Sequence, residues 1–314
     1  MSRIHEALKK AESERAGAPP ADTITTDPRV AAGTEKRPGG AFATTQLLTP
    51  PAIGVPGPGD PLRFDDLRAH CSRPQWHPDE NMNVFCPGLS AHSAEQFRTL
   101  RSRLYQLRSS QSLRRLLITS SVAAEGKTFV TANLGRALAR QAERRVLIID
   151  GDLRSSRLHV PFGAPTTPGL SDYLCGEADE FGVIQNGHEN NLCFIPGGKH
   201  ATNPSELLAN GRLKTLLDRV GSAFDWIIFD SPPCLPVADA NVLADFCDGV
   251  LLVVKAASTP LAVVQRACQE LQGRNVAGVV LNSIDEEALA SYYGTYYGST
   301  PYGHEDLDGS KHVQ

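Results

Sequence analysis

One stretch of this 314-residue chain limits its fold more than any other: Leu116-Leu117-Ile118-Thr119-Ser120-Ser121-Val122-Ala123-Ala124-Glu125-Gly126-Lys127-Thr128. Leu116 to Thr119 are apolar or β-branched, which suits a parallel strand covered on both faces. Gly126-Lys127-Thr128 ends a tight loop, and Val130, Leu134, Ala137 and Leu138 then start an amphipathic helical pattern. A strand, a loop and a helix start in that order predict a phosphate-binding loop, because backbone N–H groups and a helix N-terminus favour an anion. The expected nucleotide-binding residues are Ala123, Ala124, Glu125, Gly126, Lys127, Thr128 and Phe129. Lys127 would reach the β- and γ-phosphates of ATP, and the Thr128 hydroxyl would bind Mg²⁺. The motif departs from G-x-x-x-x-G-K-[ST] at its first glycine, which is Ser121 here.

The chain beyond this loop repeats one pattern. Arg145 to Asp150 reads as a second parallel strand, ending in the carboxylate pair Asp150 and Asp152. Trp226 to Asp230 reads as a third, stopped by Pro232 and Pro233. Val250–Val254 and Val276–Leu281 look like further buried strands, with Leu192–Ile195 a weaker one. Helices fit at Glu206–Val220, Ala238–Phe246 and Leu261–Leu271. This alternation predicts an α/β, P-loop NTPase-like fold, a mainly parallel sheet with helices on both faces. Ligands bind beyond the carboxyl ends of such strands. Asp150 and Asp152 therefore face the same crevice as the phosphate loop, where each can hold a Mg²⁺-bound water and one can accept a proton. Asp230 is the expected further Mg²⁺ ligand. Asn282, just after the last strand, either touches the adenine or serves as a turn asparagine.

The N-terminal part differs. Residues 1–15 can form a short amphipathic helix, with Ser2 as cap and Ile4, Ala7, Leu8 and Ala11 on one side. Twelve of the 22 prolines precede Gly88, and no period is sustained, so 16–89 reads as a mostly disordered linker with room for a local cluster around Trp76 and Phe85. Order resumes near Ser90, with Ser93 and Gln96 at capping-box spacing and Phe97, Leu100, Leu104 and Leu107 as an apolar stripe. Glu95, Arg98 and Arg101 share a flank of that helix, either a solvated face or a subunit contact. The main domain spans 90–288, and 289–314 is a tail too polar to build a core. A net charge of −4 gives no case for nucleic acid. The seven scattered cysteines suit a reducing cytosol, and no histidine spacing suggests a metal site. There is no signal peptide, and no apolar run approaches the roughly 20 residues of a membrane span.

In order, these motifs resemble the bacterial tyrosine kinase family, the P-loop autokinases that accompany export of capsular polysaccharide and exopolysaccharide. Ser120–Thr128 looks like its Walker A loop, Leu147–Arg154 like its Asp-x-Asp motif, Walker A′, and Ile227–Asp230 like its Walker B strand. Glu95, Arg98 and Arg101 resemble the helix through which family members form rings. Asn203-Pro204-Ser205-Glu206-Leu207-Leu208 resembles another family segment. Tyr292, Tyr293, Tyr296, Tyr297 and Tyr302, five of seven tyrosines, resemble the family's autophosphorylated tail.

The resemblance implies a cytoplasmic kinase recruited to the inner face of the plasma membrane. It implies activation by a separate membrane polysaccharide co-polymerase, reset by a tyrosine phosphatase, and assembly as a homo-oligomeric ring. Lys127, Asp150 and Asp152 are then the catalytic residues, and Thr128, Asp152 and Asp230 hold Mg²⁺. Asp150 is preferred over Asp152 for the tyrosine hydroxyl. The rivals are a Par- or Min-type ATPase switch and a nucleotide-binding scaffold of the export machinery. The first carries an additional lysine early in its loop, where this chain has Ser120-Ser121-Val122-Ala123. The second has no need of the full set of Lys127, Thr128, Asp150, Asp152 and Asp230. A Rossmann dehydrogenase is excluded because no G-x-G-x-x-G follows the first strand.

Overall fold

Successive side chains of a strand point to opposite faces, and here both faces are apolar. The computed structural model describes residues 57, 59–86, 91–187 and 189–284. Its elements are α1 (Phe64–His70), α2 (Ala91–Ser110), β1 (Arg115–Ser120), α3 (Lys127–Ala139), β2 (Val146–Asp150), α4 (His159–Phe162), α5 (Leu170–Cys175) and α6 (Glu180–Val183). There follow β3 (Gln185–Asn186), β4 (Leu192–Ile195), α7 (Pro204–Ala209), α8 (Arg212–Val220), β5 (Trp226–Asp230), α9 (Asp239–Ala244), β6 (Gly249–Lys255), α10 (Leu261–Glu270) and β7 (Val276–Asn282). The sheet order is β3-β4-β2-β5-β1-β6-β7. Every neighbouring pair is parallel except β3 with β4.

The strand alternation divides the interior into two cores. Leu117, Leu147, Ile149, Ile227 and Phe229 pack with α1, α5, α8 and α9 on one face. Leu116, Ile118, Val146, Ile148 and Ile228 pack with α2, α3 and α4 on the other. The expected α/β architecture with helices on both faces is what the chain forms. β5 lies between β1 and β2, so Asp150 and Asp230 are cross-strand register partners. The phosphate loop leaves the neighbouring strand at the same carboxyl edge.

Four expectations need correction. Within the span 16–89, residues 60–86 pack on the domain. Leu62, Phe64, Leu67, Trp76 and Val84 are buried, and Leu62 N–H donates to Arg219 O, Asn186 N–H to Ser72 O and His77 N–H to Gly163 O. Phe64 sets its edge against Phe224 at 5.6 Å, and Trp76 meets Phe162 at 5.3 Å. The expected local cluster is real but joins the main cores. Second, Ser93 lies inside α2 rather than capping it. Third, the single helix over 206–220 is two, broken at Asn210-Gly211, where Gly211 takes φ +83°. Fourth, β7 is an edge strand rather than a buried one: Val279 and Leu281 are 50% and 58% exposed.

The helix α3 departs from its amphipathic pattern in the other direction. Val130 to Ala139 are all buried, because α2 and the 60–86 segment cover the side away from the sheet. Asn133 shows the contact: its amide donates to Met82 O and its carbonyl accepts from Val84 N–H, both near 3.0 Å. Of the seven cysteines, Cys71, Cys193 and Cys234 are buried, and all seven are free thiols. No helix among the described residues is long and apolar enough to cross a membrane. The N-terminal helix at 1–15 and the tail tyrosines lie outside the described residues.

Candidate active site

The loop between β1 and α3 turns on two left-handed residues, Ala124 at φ +65° and Gly126 at φ +92°. A Cβ on Gly126 would lie 2.0 Å from Asn282 Nδ2, so a side chain there must displace Asn282 as well as strain the backbone. Asn282 holds the loop from the end of β7, donating to Glu125 O at 2.9 Å. The buried Glu125 side chain turns back on the fold. It accepts from Val122 N–H at 2.8 Å, from Lys255 N–H at 3.3 Å and from the Thr259 hydroxyl at 2.5 Å. Glu125 is thus a latch, its side chain engaged by the fold and not facing outward. Phe129 packs edge-on against Phe97 of α2 at 6.0 Å, so its side chain belongs to the core. The Ser121 hydroxyl, at the missing first glycine, is buried with no hydrogen-bond partner among the described residues.

The charged groups converge at the mouth of this loop. Lys127 Nζ meets Asp152 Oδ2 at 3.1 Å. The Thr128 hydroxyl donates to Asp230 Oδ2 at 2.6 Å, and the Thr131 hydroxyl lies 3.2 Å from Asp230 Oδ1. Asp150 is fully buried. Its Oδ2 accepts from the Ser156 hydroxyl at 2.7 Å and from Leu158 N–H at 3.0 Å, while its Oδ1 accepts from Asp152 N–H at 3.1 Å. Asp150 therefore shapes the turn that carries Asp152. Burial, reinforced by Asp230, lifts the Asp150 carboxyl above the usual carboxylate range. Burial lifts Asp230 too, against the pull of Lys127 and the Thr128 hydroxyl. For Lys127, burial works against the charge, but Asp230, Asp152 and Asp150 outweigh it and raise its pKa.

All five residues of the expected phosphoryl-transfer set meet at one edge of the sheet. That set suits a phosphate ligand: an orphaned hydroxyl at Ser121, loop amides at a helix N-terminus, and Lys127. It also suits a divalent cation brought by that ligand. Among the described residues no group of three or more His, Cys, Asp or Glu is placed to hold a metal ion; Mg²⁺ in general takes one or two carboxylates plus phosphates and water.

Comparison with known proteins bears on the chemistry. A family described as "AAA domain" matches residues 122–273. The tyrosine-protein kinase YwqD of Bacillus subtilis is 32% identical over 207 residues, 65% of this chain and 87% of that protein. The chain belongs to the bacterial tyrosine-protein kinase family. Another relative, a putative tyrosine-protein kinase EpsB of Ralstonia solanacearum, is 36% identical over 212 residues, 67% of this chain but 28% of that longer protein. The kinase domain of the Escherichia coli tyrosine kinase ETK superposes with a TM-score of 0.62 at 32% identity, over 72% of this chain and 88% of that one.

The geometry adds residues that the sequence motifs did not announce. Thr131 lies one helical turn beyond Thr128, and its spacing was the available signal. Ser156 follows the Asp-x-Asp pair closely, but a lone serine in a polar turn carries no signal. Thr259 reaches Glu125 from a distant loop, which no local pattern can show. On α2, Glu95 pairs with Arg98 at 2.7 Å on the surface. Arg101 instead turns inward, donating to Ala137 O at 2.7 Å and capping the end of α3.

Proposed function

We propose that this chain is an ATP-dependent protein-tyrosine autokinase that phosphorylates its own cluster Tyr292, Tyr293, Tyr296, Tyr297 and Tyr302. The observation that carries the reading is the convergence of Lys127, Thr128, Asp150, Asp152 and Asp230 at the carboxyl edge of the sheet. β7 leaves the sheet at that edge. Tyr292 follows Asn282 by ten residues, at most about 35 Å of extended chain.

Phosphoryl transfer asks a protein mainly for positioning and charge neutralisation. The loop amides and Lys127 hold the β- and γ-phosphates of ATP. Thr128, Asp152 and Asp230 would hold Mg²⁺, which would supply charge neutralisation on the phosphate oxygens. Asp150 orients or deprotonates the tyrosine hydroxyl. A carboxylate whose proton affinity is raised by burial suits a base. Asn282, already bound to the loop, borders the place of the adenine.

The same reading supplies the setting. The kinase works in the cytoplasm at the inner face of the plasma membrane, in exopolysaccharide or capsule polymerisation and export. A separate membrane co-polymerase activates it, and a tyrosine phosphatase resets it. Glu95 and Arg98 face a neighbouring subunit of a ring, and Arg101 stiffens that face through α3. The test is purified protein with Mg-ATP, with and without the candidate activator, probed for phosphotyrosine. Label should appear in the wild type and vanish when the five tail tyrosines become Phe. Label that persists on Tyr105 or Tyr173 in the Phe version overturns the tail as substrate.

A further inference from the structure

Asp239, the first residue of α9, is completely buried. A buried carboxylate needs partners, and this one has two. Arg154 grips it as a fork, Nε to Oδ2 at 2.7 Å and Nη2 to Oδ1 at 3.0 Å. The Ser205 hydroxyl of α7 donates to the same Oδ1 and accepts from Arg154 Nη2 at 3.1 Å. Three side chains thus close a triangle joining α7, α9 and the turn after β2. Ser205 stands in the Asn203–Leu208 segment.

The triangle lies two residues along from Asp152. On the other side of Asp152, Gly151 is pressed between β5 and α9: a Cβ there would lie 2.8 Å from Asp230 O and 2.8 Å from Leu243 Cδ1. The Gly151 N–H donates to Asp230 O at 2.9 Å. Helix α9 therefore holds the turn on both sides of Asp152, and between those two points Asp152 meets Lys127. Lys127 rides on α3, in the opposite core. The Asp152–Lys127 contact is where elements of the two cores meet at the site, and Asp239 anchors one side of it.

We propose that Asp239 is a positioning residue for the phosphate site: through Arg154 and Ser205 it fixes the turn that presents Asp152 to Lys127 and to the Mg²⁺-nucleotide. The proposal rests on the phosphoryl-transfer reading above. It differs from simple adhesion of α7 to α9, whose loss would loosen the fold and weaken every ligand together.

The experiment uses the full chain with Arg154→Lys, Ser205→Ala and Asp239→Asn. Lysine keeps the charge but loses the fork, and Arg154 is solvent-facing enough for that variant to fold even where Asp239→Asn does not. Two quantities are measured: ADP affinity by titration calorimetry in EDTA and in Mg²⁺, and phosphotyrosine turnover with Mg-ATP. ADP in EDTA reports the loop and Lys127, and the gain on adding Mg²⁺ reports Asp152. Arg154→Lys and Asp239→Asn should keep the EDTA affinity within about twofold, lose most of the Mg²⁺ gain and slow turnover roughly 10- to 100-fold, the usual cost of losing a residue that orients a ligand. Ser205→Ala should do less, since the fork remains. Wild-type Mg²⁺ gain and turnover in Arg154→Lys overturn the proposal, as does an EDTA affinity that falls with them or a wild type without Mg²⁺ gain. A wild type that shows the Mg²⁺ gain but makes no phosphotyrosine sinks the tyrosine-transfer reading instead, and the positioning role is then judged on the gain alone.

Discussion

Leu67→Ala separates a free linker from a packed segment. Leu67 is 0% exposed and sits in one core cluster with Phe64, Cys71, Ile149 and Cys193. Truncating it removes buried methyl groups and leaves a cavity, at about 2–5 kcal/mol. Were residues 60–86 unpacked, the same change would stay within about 0.5 kcal/mol. The domain survives the larger loss, since stabilities run roughly 5–15 kcal/mol. Urea unfolding measures the difference. With a slope of about 2–3 kcal/mol/M, a loss of about 3 kcal/mol lowers the midpoint by about 1 M. Leu261→Ala is the control, because Leu261 is 71% exposed and should leave the midpoint within about 0.2 M. A Leu67→Ala midpoint as close to wild type as that control, at an unchanged slope, would refute the packing argument. Deletion of residues 17–74, harmless for a linker, should by the same reasoning destabilise the domain strongly.

Lys127→Met should cut tail phosphorylation at least roughly 100-fold, because the developing charge loses its half-buried cation; wild-type labelling of the tail would remove Lys127 from the chemistry. Gly126→Ala should weaken ADP binding about tenfold or more, from the strain of φ +92° and the clash with Asn282, as calorimetry would show. In thermal unfolding, Mg²⁺ alone should barely move Tm, whereas Mg-ADP at about 100 times its Kd should add roughly 2.7 kcal/mol of stability. Five phosphotyrosines add roughly −7 to −10 charges to a chain of net −4, so the phosphorylated protein should form smaller oligomers than the five-Phe version by light scattering at low salt, with the difference shrinking at high salt.

The features legible in the sequence are those whose cause is local. The phosphate loop is written in consecutive residues, Asp150 and Asp230 each end a run of apolar strand residues, and Asp152 follows two residues after the first. The features that escaped have partners far along the chain. Leu62, Phe64, Leu67 and Trp76 sit in proline-rich surroundings whose composition argues against order, and their burial comes from Arg219, Phe224, Gln185 and Phe162. Val276 to Leu281 reads like any buried parallel strand, because an apolar run does not say whether a further strand follows it in the sheet. The break at Asn210-Gly211 did have a local signal, a helix-ending pair, but the apolar pattern on either side, Leu207 to Leu213, runs across it.

The carboxylates show why the site is tied down so thoroughly. Asp150 and Asp230 stand opposite each other on adjacent strands, both buried, with Asp152 close by and Lys127 as the cation that faces all three. Like charges so placed repel. The fold opposes this with neutral donors: Ser156, Leu158 N–H and Asp152 N–H on Asp150, and Thr128 and Thr131 on Asp230. Lys255 N–H at the end of β6, donating to Glu125, and Asn282 at the end of β7 restrain the phosphate loop in the same way. These donors hold the carboxylates in place without cancelling their charge. On the proposed function, a cation arriving with the nucleotide would meet preorganised ligands, and the energy of binding it would not be spent on assembling them. On the same reading, nucleotide without cation would be a poorer ligand, since only Lys127 would stand between its phosphates and the neighbouring carboxylates.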